Sequence, residues 1–337
     1  MGSNLKSILI TKELSMVDLS GKTLSVDAFN MLYQFLTTIR QYDGQPLTNS
    51  KGKVTSHLSG LFFRCIKLIE NNIKLVFVFD GVAPDLKSKE RERRKSLKED
   101  AQKKYDLAVE QGDVELMRKY ASRTVRLTTE LIDEAKELII AMGIPVIQAP
   151  SEGEAQAAYM AKIGEVYGLI SQDTDGLLFE SPRLIKNLSI SARKKKGATY
   201  IRNEPEIVDL SENLNNLGID IDQLIVISIL CGTDFNIGGV KGIGPKNALK
   251  LVKKYGKDFD TLFSEVEWSF EYSWKIVFDT IKKMPITKDY DLKWNNINKE
   301  KIIEIMVTQN EFSHDRINSV LESVTKKQAQ KGLSEFF

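Results

Sequence analysis

Residues 74–81 read KLVFVFDG: five apolar residues in a row, β-branched and aromatic among them, followed by an aspartate and a glycine. A run so short and so uniformly apolar marks a strand buried on both faces, as in a parallel sheet, and Asp80 with Gly81 ends it in a turn. Three other stretches share this form: TLSVDAF (23–29), IPVIQ (144–148) and YGLISQD (167–173). Between them, VTSHLSGLFFRCIKLIENN (54–72) and TTELIDEAKELIIAMG (128–143) have helical period, the second stopping at Gly143 before Pro145. Such alternation predicts an α/β fold with a mostly parallel central sheet flanked by helices.

The 337 residues are 42% hydrophobic, enough to bury a substantial core, and 48 basic against 46 acidic residues leave a net charge that names no partner. No apolar run approaches the ~18 residues of a membrane span. The N-terminal stretch has no signal-peptide pattern, and Lys6 stands where a myristoylation signal needs Ser or Thr. Cys65 and Cys231 lie among apolar neighbours without CxxC spacing, as reduced thiols of an intracellular protein would.

Aspartates recur at the strand ends: Asp27, Asp80, then Asp173 and Asp175. In open α/β sheets these ends share one crevice, so the acids are expected to converge. An aspartate at a strand end also serves as a turn former or helix cap. Asp173 and Asp175 are two apart, so on a strand they point to the same side, where their repulsion calls for a cation. An EF-hand is excluded because LLFESP follows DTDG where further oxygen ligands should stand. A phosphatase-type DxD pair leaves the other acids unexplained. In APSEGEAQAA, Ser151 and Glu154 have capping-box spacing, while Glu152 needs another role. Asp234 follows the apolar run QLIVISIL at a helix end, where an anion is disfavoured and a compensating cation is expected. Seven carboxylates without a His or Cys cluster make a hard oxygen site suited to Mg²⁺ or Mn²⁺ and to phosphate-ester hydrolysis. His57 and His314 fall in helical segments away from these motifs and read as structural.

Residues of about 84–126 break the strand–helix rhythm, with nine Lys or Arg against four Asp or Glu between Lys87 and Lys104, so this segment is expected to project from the sheet. Lys87 and Arg94, seven apart, share nearly one helical face near Asp80. Downstream, GGVKGIGPKNALKLVKKYG has the form of a helix-hairpin-helix: Gly242 and Gly244 make the turn, Pro245 opens the second helix, and Lys246, Lys250, Lys253 and Lys254 add charge for a nucleic-acid backbone. The basic run at Arg193–Lys196 reads as a solvated turn.

VDAFNMLYQFL, VFVFDG, APSEGEAQAA, QDTDGLLF, GTDF, GIGPK and the C-terminal QxxLxxFF occur together and in order, and with them nearly the whole chain resembles the flap endonucleases, structure-specific 5′ nucleases of replication and repair. The resemblance implies a PIN-like 5′ nuclease fold with a helical arch, and a metal site of Asp27, Asp80, Glu152, Glu154, Asp173, Asp175 and Asp234 holding two Mg²⁺ ions, for which Mn²⁺ substitutes. It implies catalytic roles for Lys87, Arg94, Asp27, Asp80, Glu152 and Asp173. It also implies DNA contacts at Tyr33, Arg40, Thr55, Arg64, Gly242, Gly244, Lys246, Phe312, Ser313 and Arg316, with Tyr33 stacking on a base. Thr55, Phe312, Ser313 and Arg316 stand where the family forms a pocket for a one-nucleotide 3′ flap. K⁺ is implied at the hairpin around Gly239, Val240 and Gly242, and sliding-clamp (PCNA-type) binding at Gln330, Leu333, Phe336 and Phe337. The chain carries one residue more between Asp234 and the GIG turn than the commonest pattern, and lacks the long basic tail of nuclear members, as an archaeal origin would explain.

The expected organisation is a nuclease core over 1–255, with the arch at about 84–126 and the hairpin at about 220–255, then a packed helical region over 256–325 and a flexible tail over 326–337. The expected activity is 5′ flap endonuclease with 5′-3′ exonuclease action on branched DNA, by a monomer without membrane association, in the cytoplasm or nucleoid of an archaeon or the nucleus of a eukaryote. A ribonuclease of related fold needs neither arch nor hairpin, and a non-catalytic DNA-binding scaffold needs no seven acids.

Overall fold

The computed structural model describes residues 5–188 and 204–334 together with 193–196 and 199–202, the latter two segments and residues 326–334 as backbone only. The strands are β1 (Lys12–Glu13), β2 (Thr23–Asp27), β3 (Lys74–Phe79), β4 (Val146–Gln148), β5 (Gly168–Ile170), β6 (Arg183–Lys186), β7 (Arg193–Lys196), β8 (Thr199–Arg202) and β9 (Glu206–Asp209). Seven of them form one sheet in the order β1-β9-β6-β5-β2-β3-β4. The pairs among β6, β5, β2, β3 and β4 are parallel, and β9 joins antiparallel to both β6 and β1. β2 lies between β3 and β5 because the chain builds outward through β3 and β4 and then returns to the other flank. That reversal opens a crevice at the carboxyl ends of β2 and β5.

The first ten helices are α1 (Ala28–Thr38), α2 (Ser56–Glu70), α3 (Ser88–Glu110), α4 (Val114–Ala121), α5 (Thr129–Ala141), α6 (Gly153–Lys162), α7 (Asp175–Leu178), α8 (Leu210–Leu217), α9 (Ile221–Cys231) and α10 (Pro245–Tyr255). Pleating sends Leu75, Phe77 and Phe79 to the layer of α1, α2 and α5, and Val76 and Val78 to the layer of α6 and α9. Both faces are therefore buried, which is why β3 reads as an uninterrupted apolar run. Gly60 of α2 lets α1 close in: a Cβ there would stand 2.2 Å from the Phe35 ring. Burying side chains such as Phe35 and Phe62 contributes roughly 1.5–3 kcal/mol each before entropy is counted, and so fixes α1 against β2.

α3 buries only Glu90, Ala101 and Ala108, so it stands off the sheet and turns through Gly112 into α4. The turn before α2 steadies this hairpin. Arg118 of α4 stacks 4.0 Å over Tyr42 and donates Nε to its carbonyl, and the Gln45 amide hydrogen-bonds Tyr105 of α3. Among the described residues no single helix is long and apolar enough to cross a membrane.

Two local expectations fail, and two strands escape the sequence pattern. Arg193–Lys196 is β7, paired antiparallel with β8, rather than a turn. β6 and β9 do not stand out in the sequence, since RLIK and EIVD carry too few apolar residues among their charges. β5 ends at Ile170, so Asp173 and Asp175 do not share a strand face; Asp173 lies in the following turn and Asp175 opens α7.

Candidate active site

Each acid reaches the crevice by a different local device. Asp27 ends β2 and caps α1, its Oδ1 accepting the Asn30 N–H at 3.0 Å. Asp80 follows β3 and accepts the Gly153 N–H at 2.7 Å. A side chain at Gly153 is excluded by the same approach, since a Cβ would lie 2.6 Å from Asp80 Oδ1. Glu152 is the N-cap residue of α6 and Glu154 lies in its first turn, where the helix dipole favours acid. The expected capping box is absent because Ser151 donates its hydroxyl to the Val82 carbonyl instead, at 3.0 Å. Asp234 stands beyond the end of α9, in a turn held by Asn236, which accepts from Thr233 and donates to the Ile229 carbonyl. All seven acids, with Tyr33, Lys87 and Arg94, line one crevice of about 630 Å³.

The carboxylates are under strong mutual repulsion. Burial first, then the charges of Asp80 and Asp173, push the Asp27 carboxyl up to about 8, against the opposing bond from Asn30. Burial and Glu152 push Asp80 up to about 6. Burial, then Asp27, Asp175 and Asp173, raise Glu154 well above the usual range, although Ser171 donates to it at 2.7 Å. Positive charge brought among these groups is correspondingly favoured.

The arch supplies that charge. Lys87 Nζ lies 2.5 Å from Glu152 and 3.5 Å from Asp234, and an Arg94 guanidinium N–H donates to Asp234 at 2.8 Å. This is the cation expected beside Asp234. Burial alone would depress the Lys87 ammonium, but Glu152, Asp234 and Asp80 together hold it above the ordinary lysine range. Glu90, almost fully buried, grips both Arg93 and Arg94, with Arg94 Nε at 2.6 Å. Among the described residues no three acid, histidine or cysteine side chains converge tightly enough to grip a metal as they stand. The donors nevertheless fit a hard divalent ion: they are all carboxylates, carry excess negative charge, and already draw lysine and arginine to themselves.

The other expected site residues lie elsewhere. Arg40 donates to the carbonyls of Leu36, Thr37 and Gly44, so its guanidinium organises the turn after α1. Thr55 is buried at the start of α2, and Arg64 is half-buried on the same helix. Arg316 stacks 4.2 Å over Phe63, while Glu311 accepts two bonds from Ser50; Phe312 is half-buried between them and Ser313 is exposed. This second patch draws the loop before α2 together with residues 311–316. Gly239 and Gly242 adopt positive φ, Val240 is buried, and α10 starts after Gly244 with Pro245 in its first turn and Lys246 exposed. Gln330 and Leu333 fall on the final helix (His314–Ser334), while Phe336 and Phe337 lie outside the described residues.

Several crevice residues were not anticipated. Lys98 reaches the ring of Tyr33, 4.9 Å from its centroid, and Arg91 joins the same lining. Lys87, Arg91, Arg94 and Lys98 recur at helical spacing, a stripe that was readable in the sequence. Asn30 and Ser171 bond to acids from distant segments, and nothing in their local sequence says so.

A carboxylate crevice at the switch point of a parallel sheet, overhung by a basic helix, defines a hydrolase acting on phosphate esters. Residues 3–101 match the family model described as XPG N-terminal domain, and residues 143–234 that described as XPG I-region. The chain is 45% identical over 331 residues to Flap endonuclease 1 of Hyperthermus butylicus, covering 97% of this chain and 95% of that protein. It is 47% identical to Flap endonuclease 1 of Ignicoccus hospitalis, covering 95% and 91%. Flap endonuclease-1 from Methanococcus jannaschii superposes with a TM-score of 0.78 at 41% identity, covering 98% of this chain and all of that one. The catalytic core of Rad2 in complex with DNA substrate superposes with a TM-score of 0.70 at 25% identity, covering 93% and 96%. The chain belongs to the flap endonuclease family and is a structure-specific flap endonuclease.

Gly153→Ala tests the packing of this site. The new methyl group must displace Asp80, so cleavage is expected to fall at least tenfold while circular dichroism and flap binding without metal are unchanged; an unaltered rate would show that Asp80 tolerates the shift.

Proposed function

We propose that the seven acids hold two Mg²⁺ ions, replaceable by Mn²⁺, and that the protein hydrolyses branched DNA near the single-strand/duplex junction, leaving a 5′-phosphate and a 3′-hydroxyl. Okazaki-fragment processing and repair are the settings that need this cut. The observation that carries the proposal is the meeting of the acid crevice with the Lys87–Arg91–Arg94–Lys98 stripe. Bound divalent ions supply Lewis-acid activation of water and charge neutralisation at a phosphodiester. Asp27, Asp80, Glu152, Glu154, Asp173, Asp175 and Asp234 orient the ions. Lys87 and Arg94 transfer their donors from Glu152 and Asp234 to the scissile phosphate, where an arginine and a lysine steady charge developing in the transition state. Tyr33 offers its ring to a base beside the cut, a contact worth roughly 1–3 kcal/mol.

Away from the chemistry, the α9–α10 hairpin holds duplex backbone through its turn amides and exposed lysines, with K⁺ bound around Gly239, Val240 and Gly242. The patch of Thr55, Phe312, Ser313 and Arg316 receives a 3′ flap. The tail carrying Gln330, Leu333, Phe336 and Phe337 tethers the enzyme to a sliding clamp, and deletion after Lys327 is expected to remove stimulation by the clamp but leave cleavage of a free flap. Loss of that basal cleavage would assign the tail to the fold.

Incubation with Mg²⁺ and a double-flap DNA, a linear duplex or single-stranded RNA tests the reading. The flap is expected to be cut at least tenfold faster than the others, and Asp173→Ala to abolish cutting while sparing binding. Equal cutting of all three, or a near-normal rate for Asp173→Ala, would contradict it.

A further inference from the structure

Asn30 occupies the third position of α1, where a helix needs nothing from a side chain; its backbone N–H alone serves the Asp27 cap. Its amide instead crosses to the turn after β5. Nδ2 donates to Asp173 Oδ2 at 3.0 Å, and Oδ1 accepts the Gln172 N–H at 3.2 Å. One residue thus touches two acids that come from β2 and from the β5 turn, 146 positions apart in the chain (173 less 27). The Gln172 N–H can pair only with the amide oxygen, so it fixes which way the amide points and leaves the NH₂ facing Asp173.

We propose that Asn30 is a positioning residue for metal binding, holding Asp173 at a set distance and rotation from Asp27 so that the two carboxylates present a prepared edge to a divalent ion. This rests on the reading of the crevice as a metal site. Two carboxylates under mutual repulsion drift apart unless something holds them, and a neutral donor does so without cancelling the charge that attracts the ion. Hydrogen-bond partners behind metal ligands typically change affinity about 10- to 100-fold when removed. A purely structural asparagine would instead affect folding stability and leave the affinity of folded protein unchanged.

The test is Mn²⁺ titration of the full chain, reading free Mn²⁺ by electron paramagnetic resonance. Asn30→Leu, similar in volume but unable to donate or accept, is expected to bind Mn²⁺ about 10- to 100-fold more weakly. Its flap binding without divalent ion should stay within about twofold of the parent, and its cleavage should recover as Mg²⁺ is raised. If Asn30→Leu does not fold, Asn30→Ala is read by the same criteria. Mn²⁺ affinity within about twofold of the parent, or lost cleavage that no Mg²⁺ concentration restores, would overturn the proposal. Failure of the unaltered protein to bind Mn²⁺ would overturn the metal reading itself, and the role of Asn30 with it.

Discussion

Buried carboxyls of like charge can be gathered only where cations, donated hydrogen bonds or protonation offset their repulsion. Parallel strands β2, β3 and β5 end side by side, and the acids at or after those ends are driven into one crevice by the same topology that buries the apolar strand interiors. Burial first, and then the neighbouring acids, raise Asp27, Asp80 and Glu154. Everything around the crevice responds to that charge. Gly153 and Asn30 donate N–H groups, Ser171 donates a hydroxyl, and the arch helix lowers Lys87 and Arg94 onto Glu152 and Asp234.

The arch therefore has two relations to the same acids. Its basic stripe balances them in this structure, and the same donors face the space that a polyanionic substrate must enter. Glu90 matters here because it holds Arg94 by Nε and leaves Nη2 to donate to Asp234. The contacts of Tyr42 and Gln45 with the arch hairpin anchor its far portion. The anchoring turn runs on into the loop pinned by Glu311, so arch and second patch share one connecting segment.

Much of this was legible because strand burial and helical period leave strong patterns. KLVFVFDG announces β3 and places Asp80 at its end, and Lys87 and Arg94 are visibly on one helical face. The resemblance to the flap endonucleases added the particular roles, which no periodicity could supply. What was hidden depended on contacts distant in sequence. Asp173 and Asp175 line the crevice but do not lie on a strand, because the Ser171 hydroxyl accepts the Asp173 N–H and helps turn the chain after Ile170. Ser151 looked like half of a capping box until a carbonyl 69 residues away claimed its hydroxyl. Asn30 looked like any polar residue in a first helical turn. β6 and β9, with two central apolar residues each, are stabilised by their neighbours in the sheet more than by their own pattern.

The central claim is that divalent ions and a scissile phosphate take over the partners that the acids and the arch cations now provide for each other. A crystal structure of the protein with a 5′-flap DNA and Ca²⁺ tests it directly. The account predicts ions ligated by Asp27, Asp80, Glu152 and Asp173, with Lys87 and Arg94 turned from Glu152 and Asp234 onto the phosphate at the junction. Ions bound elsewhere, or Lys87 still paired with Glu152 beside bound DNA, would contradict it.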